Sequence, residues 1–312
     1  MKMTRSLPML FLLILCLAVV SCDKSAGRDD AQAASQVVFR FTDDGGREVT
    51  VRKKPATIVS LAPSISEMID TLGRAPMLRG ATMWCDTPGA KGVERIGNMT
   101  TPDVERIIAI HPDLVVGTEM TPRHIYDTLE ASGITCIMFK HQGLDDVMAD
   151  MRTLSDALGE HDLGNKVVDG MEARKALILA RVPKTGKVKV ALLYDLDSMG
   201  SAGRGSWVDD MLKSIGFDNV ANRSESSWPR LSKEALLTEQ PRYIIIPDKL
   251  DPSDAPALRA RVEGLKNDPV WGRVDAVREG RVVIVPANYL NIPGPRTLSA
   301  MEFLIDRVYG AK

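Results

Sequence analysis

One short stretch of this chain is written twice, and the repetition limits the possible folds more than any other feature. The first copy runs Asp103-Val104-Glu105-Arg106-Ile107-Ile108, with Pro112 and Leu114-Val115-Val116 behind it. The second runs Ser232-Lys233-Glu234-Ala235-Leu236-Leu237, followed by Pro241 and Tyr243-Ile244-Ile245. In each copy a glutamate sits in the first turn of a short predicted helix, and the proline comes seven positions after it. A β-branched run then predicts a buried strand. The repetition predicts two lobes of like construction, each offering one carboxylate in an equivalent place. Paired acidic knobs suit a symmetric basic partner, which points to transport rather than catalysis.

The segments around the repeat alternate in the same sense. Val37 to Phe41 and Glu48 to Val51, joined across Asp43-Asp44-Gly45-Gly46, predict a β-hairpin. Strands at Ile58 to Leu61, Met77 to Thr82, Leu114 to Val116 and Ile134 to Phe139 are separated by predicted helices at Ser64 to Leu72, His124 to Ala131 and Leu144 to Leu158. Such a βα succession predicts a largely parallel sheet covered on both faces. From Leu163 to Val182 apolar residues recur at helical spacing, and Pro183 and Gly186 end the run. Roughly twenty residues at ~1.5 Å each make a rod of about 30 Å, read as the single connection between lobes. The second lobe restarts at Val188 to Tyr194 and continues through a helix at Trp207 to Ile215, the second copy of the repeat, a helix at Ala257 to Gly264, the strand Val282 to Val285 and a last helix at Arg296 to Val308. The domain reading is therefore a leader at 1–21, a tether at 22–36, an N-terminal lobe at 37–160, a linking helix at 161–185 and a C-terminal lobe at 186–312. The fold class is α/β: two Rossmann-like lobes with mainly parallel central sheets, joined by one long helix.

The leader carries its own argument. Lys2 and Arg5 form a basic start, and Leu7 to Val20 are apolar but too short for a stable membrane span. Val19-Val20-Ser21-Cys22 then resembles a bacterial lipobox. Cleavage there leaves Cys22 as the first residue, lipidated through its sulfur and anchoring the chain outside the cytoplasm. Asp23 resembles an inner-membrane retention signal, and the Ala, Asp, Ser and Gln composition up to Ser35 reads as a tether. An ordinary secretory leader is the alternative. Cys85 and Cys136 are then the remaining thiols, and spacing does not decide whether they are bridged.

Charge and motifs exclude several classes. The net charge is −1, falling to about −3 once Lys2 and Arg5 leave with the leader, and no basic stripe marks a nucleic-acid partner. The chain has no Gly-x-Ser-x-Gly elbow, no His-Glu-x-x-His, no phosphate loop ending in Gly-Lys-Ser/Thr and no dinucleotide fingerprint. His111, His124 and His161 form no metal spacing.

The run Thr42 to Val49, then Ile58-Val59-Ser60-Leu61-Ala62-Pro63-Ser64-Ile65-Ser66-Glu67 ending at Leu72-Gly73, then Ile107 to Val116, resembles the helical-backbone substrate-binding proteins of ABC importers for vitamin B12, haem and iron-siderophores. The likeness extends from about Val37 to the C-terminus. It implies the class III periplasmic binding protein fold, no enzyme activity, no resident cofactor or metal, and a metal chelate as cargo. It also implies a permease dimer with its ATPase subunits as partner, and a monomer anchored at the periplasmic face, or the outer surface, of the cell membrane.

Within that family the chain is most similar to the vitamin B12 branch. The residues that carry this are Gly80 to Pro88, Ser227-Trp228-Pro229 leading into Glu234, and Ile292-Pro293-Gly294-Pro295-Arg296. It departs at Thr87, where vitamin B12 and haem binders commonly carry tyrosine, which demotes haem.

In parallel α/β sheets ligands lie beyond the carboxyl ends of the strands. That rule nominates Ser64, Trp84, Met120, His141, Arg204, Trp228, Tyr289 and Arg296 as ligand-binding residues. Trp84, Trp228 and Tyr289 offer flat faces to a macrocycle, and Arg204 and Arg296 suit peripheral carboxylate or amide groups. Glu105 and Glu234 are read as permease-docking residues, and Glu67, three residues after Ser64, as half of a capping box. A chelatase-like tetrapyrrole enzyme is the rival of another class, and a receptor serving a sensor is a third reading.

Overall fold

The computed structural model describes residues 37–184, 186–248 and 255–310. The predicted leader, the tether and the lipidation site Cys22 lie outside the described residues. Two parallel sheets form the framework. The first has the order β5-β4-β3-β6-β7, built from β3 (Ile58–Ser60), β4 (Leu78–Ala81), β5 (Glu94–Arg95), β6 (Leu114–Thr118) and β7 (Thr135–Phe139). The second has the order β11-β10-β8-β9, built from β8 (Val188–Leu192), β9 (Phe217–Asn219), β10 (Tyr243–Pro247) and β11 (Val282–Val285). All pairings in both sheets are parallel. Strands β6 and β10 are buried at every position, which fits their near-continuous apolar sequence between two helical layers.

The predicted hairpin is present as β1 (Phe39–Thr42) and β2 (Glu48–Val51), antiparallel. It is locked to β7 by Asp43, whose carboxylate accepts from Met138 N and pairs with Arg47. Burial pushes the Asp43 carboxyl up, but hydrogen bonds from Arg47 and Met138 outweigh it and hold the group below the ordinary carboxylate range.

Helices follow the strands as expected: α1 (Pro63–Thr71), α2 (Val104–Ile110), α3 (Arg123–Ala131) and α4 (Leu144–Ala157) in the first lobe. The linking helix α5 runs His161–Ala180, two residues earlier at each end than the apolar periodicity predicts. Helices α6 (Trp207–Ser214), α7 (Lys233–Glu239), α8 (Ala255–Gly264), α9 (Asp275–Arg278) and α10 (Thr297–Tyr309) complete the second lobe. The short strands β5 and β9 and helix α9 were not expected. Each is too short, and β5 and β9 too polar, to leave a periodic signal.

The duplicated sequence is a duplicated structure. Helices α2 and α7 are each seven residues long, and side chains cap both N-termini: Asp103 accepts from Arg106 N, and Ser232 from Ala235 N. Both helices stop on a non-glycine residue in the left-handed region, His111 (φ 50) and Gln240 (φ 43). Pro112 or Pro241 then follows, and the chain enters the buried strand.

The linking helix is tied to both lobes. Arg152 of α4 pairs with Asp169 and Glu172, and Lys175 with Asp145. On the other side Arg174 pairs with Glu302, and Arg181 with Asp306, both on α10. One apolar cluster runs continuously through both lobes, taking in Ile65 of α1, Met171 of α5 and Leu298 of α10. No described helix is long and apolar enough to cross a membrane.

Candidate functional site

The carboxyl ends of the two sheets face one another. The loop after β4 meets the turn after β11, where Asn288 Nδ2 donates to Asp86 Oδ2 at 3.1 Å. In each sheet the order reverses beside the first strand, between β3 and β6 and between β8 and β10, the place where open α/β sheets take their ligands.

On the N-terminal side the crevice is bordered by large apolar side chains left in the open. Trp84 is 53% exposed and Met83 54%, both directly after β4, and Met120 after β6 is 53% exposed. Their backbone is not loose. Met83 N donates to Gly97 O at 3.0 Å, and Trp84 Nε1 donates to Asn98 Oδ1 at 3.0 Å, so the indole is aimed by the loop after β5. Gly117 lets β6 lie close to its cover: a Cβ there would meet the Tyr126 hydroxyl at 2.4 Å, and that hydroxyl donates to Thr118 O.

On the C-terminal side the loop after β8 is zipped to the loop carrying Trp228. Ser201 N donates to Pro229 O at 2.8 Å, Gly203 N to Ser227 O at 2.9 Å, and Leu231 N to Met199 O at 2.9 Å. This ladder holds Trp228 at the strand ends with 57% of its surface exposed and Tyr194 at 6.2 Å, ring centre to ring centre. Arg204 on the same loop is exposed, its guanidinium donating to the side chain and carbonyl of Asn222. Tyr289 is half-buried, edge-on to Phe303.

Four sequence expectations need correction. His141 does not face the crevice: it is buried, with Nδ1 3.0 Å from Asp150 Oδ2, because a carboxylate buried in α4 needs a partner. Burial pushes Asp150 above the ordinary carboxylate range, and His141 offsets part of that. Ser64 is buried in the first turn of α1 and presents little surface. Glu67 makes no capping box, since Ala62 is the N-cap and receives no side-chain bond. Instead Glu67 crosses to the other lobe, where the Arg296 backbone N–H donates to its Oε1 and Arg296 Nε lies 3.0 Å from Oε2. Arg296 is correspondingly not free for a ligand anion, because its Nη2 also donates to Asp86 Oδ1 at 2.6 Å.

These charges explain one another. Hydrogen bonding from Arg296 holds the Asp86 carboxyl below its usual range. Burial draws the Arg296 pKa down, but its bond to Asp86 and the field of Glu67 outweigh that and raise it further. For Glu67 burial wins, and its carboxyl stands above the ordinary value in spite of Arg296. No local pattern announces this cluster, whose partners lie more than two hundred residues apart. Met83 was also missed, although it stands in the nominated segment beside Trp84.

Glu105 and Glu234 are both exposed, each in the first turn of its helix. A bond from its own backbone N–H, and then one from Ser232, holds the Glu234 carboxyl below the usual range. Cys85 and Cys136 are buried free thiols, and burial pushes Cys136 up to about 12. Among the described residues no three His, Cys, Asp or Glu side chains gather as a metal site.

Comparison with known proteins agrees with this architecture. The chain is 25% identical over 311 residues to an uncharacterized ABC transporter substrate-binding lipoprotein of Bacillus subtilis, YvrC, covering 96% of this chain and 95% of the relative. It is 26% identical over 251 residues to the vitamin B12-binding protein of Vibrio cholerae, covering 78% of this chain and 86% of that protein. Among solved structures, the periplasmic heme-binding protein RhuT from Roseiflexus sp. RS-1 superposes with a TM-score of 0.71 at 28% identity, covering 82% of this chain and 98% of that one. The model of the periplasmic binding protein family matches residues 58–289, so the chain belongs to that family and is an extracytoplasmic ABC-transporter substrate-binding protein of the vitamin B12, haem and siderophore type.

Proposed function

We propose that this protein is a lipid-anchored receptor that captures a corrinoid between its lobes and delivers it to an ABC permease. The observation that carries the reading is the pair of half-exposed tryptophans, Trp84 and Trp228, one at the strand ends of each lobe, with Met83 and Met120 beside the first. Large apolar faces left in water at a crevice mark a binding surface. Two indoles with thioethers suit a broad, flat, partly apolar ligand gripped by van der Waals contact. Arg296 is neutralised by two carboxylates, and the Arg204 guanidinium is bonded to an amide, so the crevice favours a ligand edged with neutral amides over a polyanionic chelate. The relative named as a vitamin B12-binding protein supports the same choice. Anchoring through Cys22 is supported by the lipobox-like segment and by the lipoprotein name of the Bacillus relative.

The test is a titration of tryptophan fluorescence with cyanocobalamin, haemin and a panel of ferric siderophores. Cyanocobalamin should quench at the lowest concentration, and Trp84→Ala and Trp228→Ala should each weaken it about ten- to a hundredfold, the effect of losing ~1.5 to 3 kcal/mol of aromatic contact. Tighter binding of haemin or a ferric siderophore would replace the corrinoid assignment.

A further inference from the structure

Arg296 reaches across the gap between the lobes with four contacts. Its backbone N–H and Nε meet Glu67 of α1, and its Nη1 and Nη2 meet Asp86 in the loop after β4. Asn288 adds a fifth link by donating to the same Asp86. The turn that carries Arg296 is shaped for this approach, since a Cβ on Gly294 would stand 2.8 Å from Glu67 Oε2. Glu67 is 5% exposed, and among the described residues Arg296 is the group that meets its carboxylate, with Nε poorly aligned on Oε2.

The surroundings make the contact mechanically important. Glu67, Asp86 and Arg296 line an interlobe cavity of about 830 Å³ that also touches Met171 and Arg174 of α5. A second cavity of about 380 Å³ lies between the lobes at Lys175, one residue further along the same helix. Neither space is filled by side chains, so at these two places a change of lobe separation meets no packed surface, while the apolar cluster through Met171 and Leu298 still joins the lobes alongside. A polar tie across such a gap has discrete made and broken states, whereas packed surfaces resist sliding.

We propose that the Arg296–Glu67–Asp86 cluster is an interlobe clamp, and that Arg296 is a positioning residue that sets the width of the crevice rather than a group that touches the ligand. Breaking the clamp lets the lobes sample wider separations, so the gap between Trp84 and Trp228 no longer matches one ligand thickness. This rests on the reading of the crevice as the ligand site, but the spacing itself is measured without ligand.

Spin labels on Ala131→Cys of α3 and Ala260→Cys of α8, two exposed alanines on opposite lobes, report that spacing by dipolar spectroscopy in a chain with Cys16 and Cys22 replaced by serine. Cys85 and Cys136 are buried and do not take label readily. Arg296→Ala should broaden the distance distribution and shift it outward, and Asp86→Asn, at a half-exposed site that preserves side-chain shape, should do so more mildly. If the spaced state falls to about a tenth of the population, cyanocobalamin affinity falls about tenfold. An unchanged distribution in both variants overturns the clamp, whatever happens to affinity. A broadened distribution in a protein that never binds cyanocobalamin upholds the clamp and overturns the corrinoid reading.

Discussion

The two lobes share a skeleton and differ in their edges. Reading outward from the first strand, both sheets place the second strand on one side and the third and fourth on the other: β4-β3-β6-β7 in one lobe, β9-β8-β10-β11 in the other. Among the described residues only the first lobe adds β5 and the hairpin. The crevice borders are also unequal. Met83, Trp84 and Met120 stand open on the N-terminal side, against Trp228 with Arg204 on the C-terminal side. The shared parts are backbone geometry that a parallel sheet demands. The differing parts are side chains that a ligand without two-fold symmetry would require.

The largest effect should come from the feature the lobes hold most nearly in common. Replacing Glu105 and Glu234 together by alanine should abolish uptake of the ligand in cells and leave its affinity for the isolated protein unchanged, with each single variant retaining part of the transport. Charge pairs of this kind gain strength only when an interface desolvates them. Normal uptake by the double variant would mean that the matched glutamates serve only their own helices.

A second comparison concerns how each lobe secures the residue before its buried strand. In the first lobe Asp113 accepts from Ala56 N, Thr57 N and the Thr57 hydroxyl and pairs with Lys53. Burial raises its carboxyl, but the bonds from Lys53, Ala56 and Thr57 prevail and hold it at about 2. The equivalent position in the second lobe is Arg242, whose backbone N–H donates to Lys189 O and whose guanidinium lies over Tyr243. Asp113→Ala should therefore cost roughly 2 kcal/mol in a denaturant titration, more than Arg242→Ala. The folded value lies below the unfolded value of ~3.9, so this stability is present above that pH and is lost as pH falls toward about 2. An Asp113→Ala variant whose stability curve parallels the parent down to pH 2 would contradict this.

The smallest effect should separate the two helix stops. His111 and Gln240 both occupy the left-handed region. His111 is exposed, whereas Gln240 accepts from Asp275 N and donates to Arg273 O. His111→Gly should stabilise the protein by up to ~1 kcal/mol by relieving backbone strain. Gln240→Gly should destabilise it by about 1 kcal/mol through the lost hydrogen bonds. Equal shifts from the two variants, measured by thermal unfolding, would remove the distinction.

Much of the fold was legible because it is periodic. Apolar, largely β-branched runs marked most of the strands, the glycines at 73 and 133 marked helix ends, and the duplicated Glu-to-Pro spacing announced the second lobe. The exposed tryptophans were legible too, since Trp84 and Trp228 lie just past predicted strands or before the second copy of the repeat. The misreadings share one cause. His141, Glu67 and Arg296 are polar residues whose partners sit elsewhere in the chain, and spacing along a sequence carries no information about which distant charge a side chain will meet. The spacing from Ser64 to Glu67 matched a capping box, yet a buried carboxylate opposite an arginine is held by the stronger, charge-assisted bond.

By itself the sequence determined two βα lobes, their order along the chain, the helix that joins them and the twin glutamates, because these follow from local periodicity and from repetition. Only the tertiary structure decided which polar residues face the crevice and which are spent holding the lobes together. That choice depends on desolvation and charge pairing between segments that approach one another only after the chain has folded.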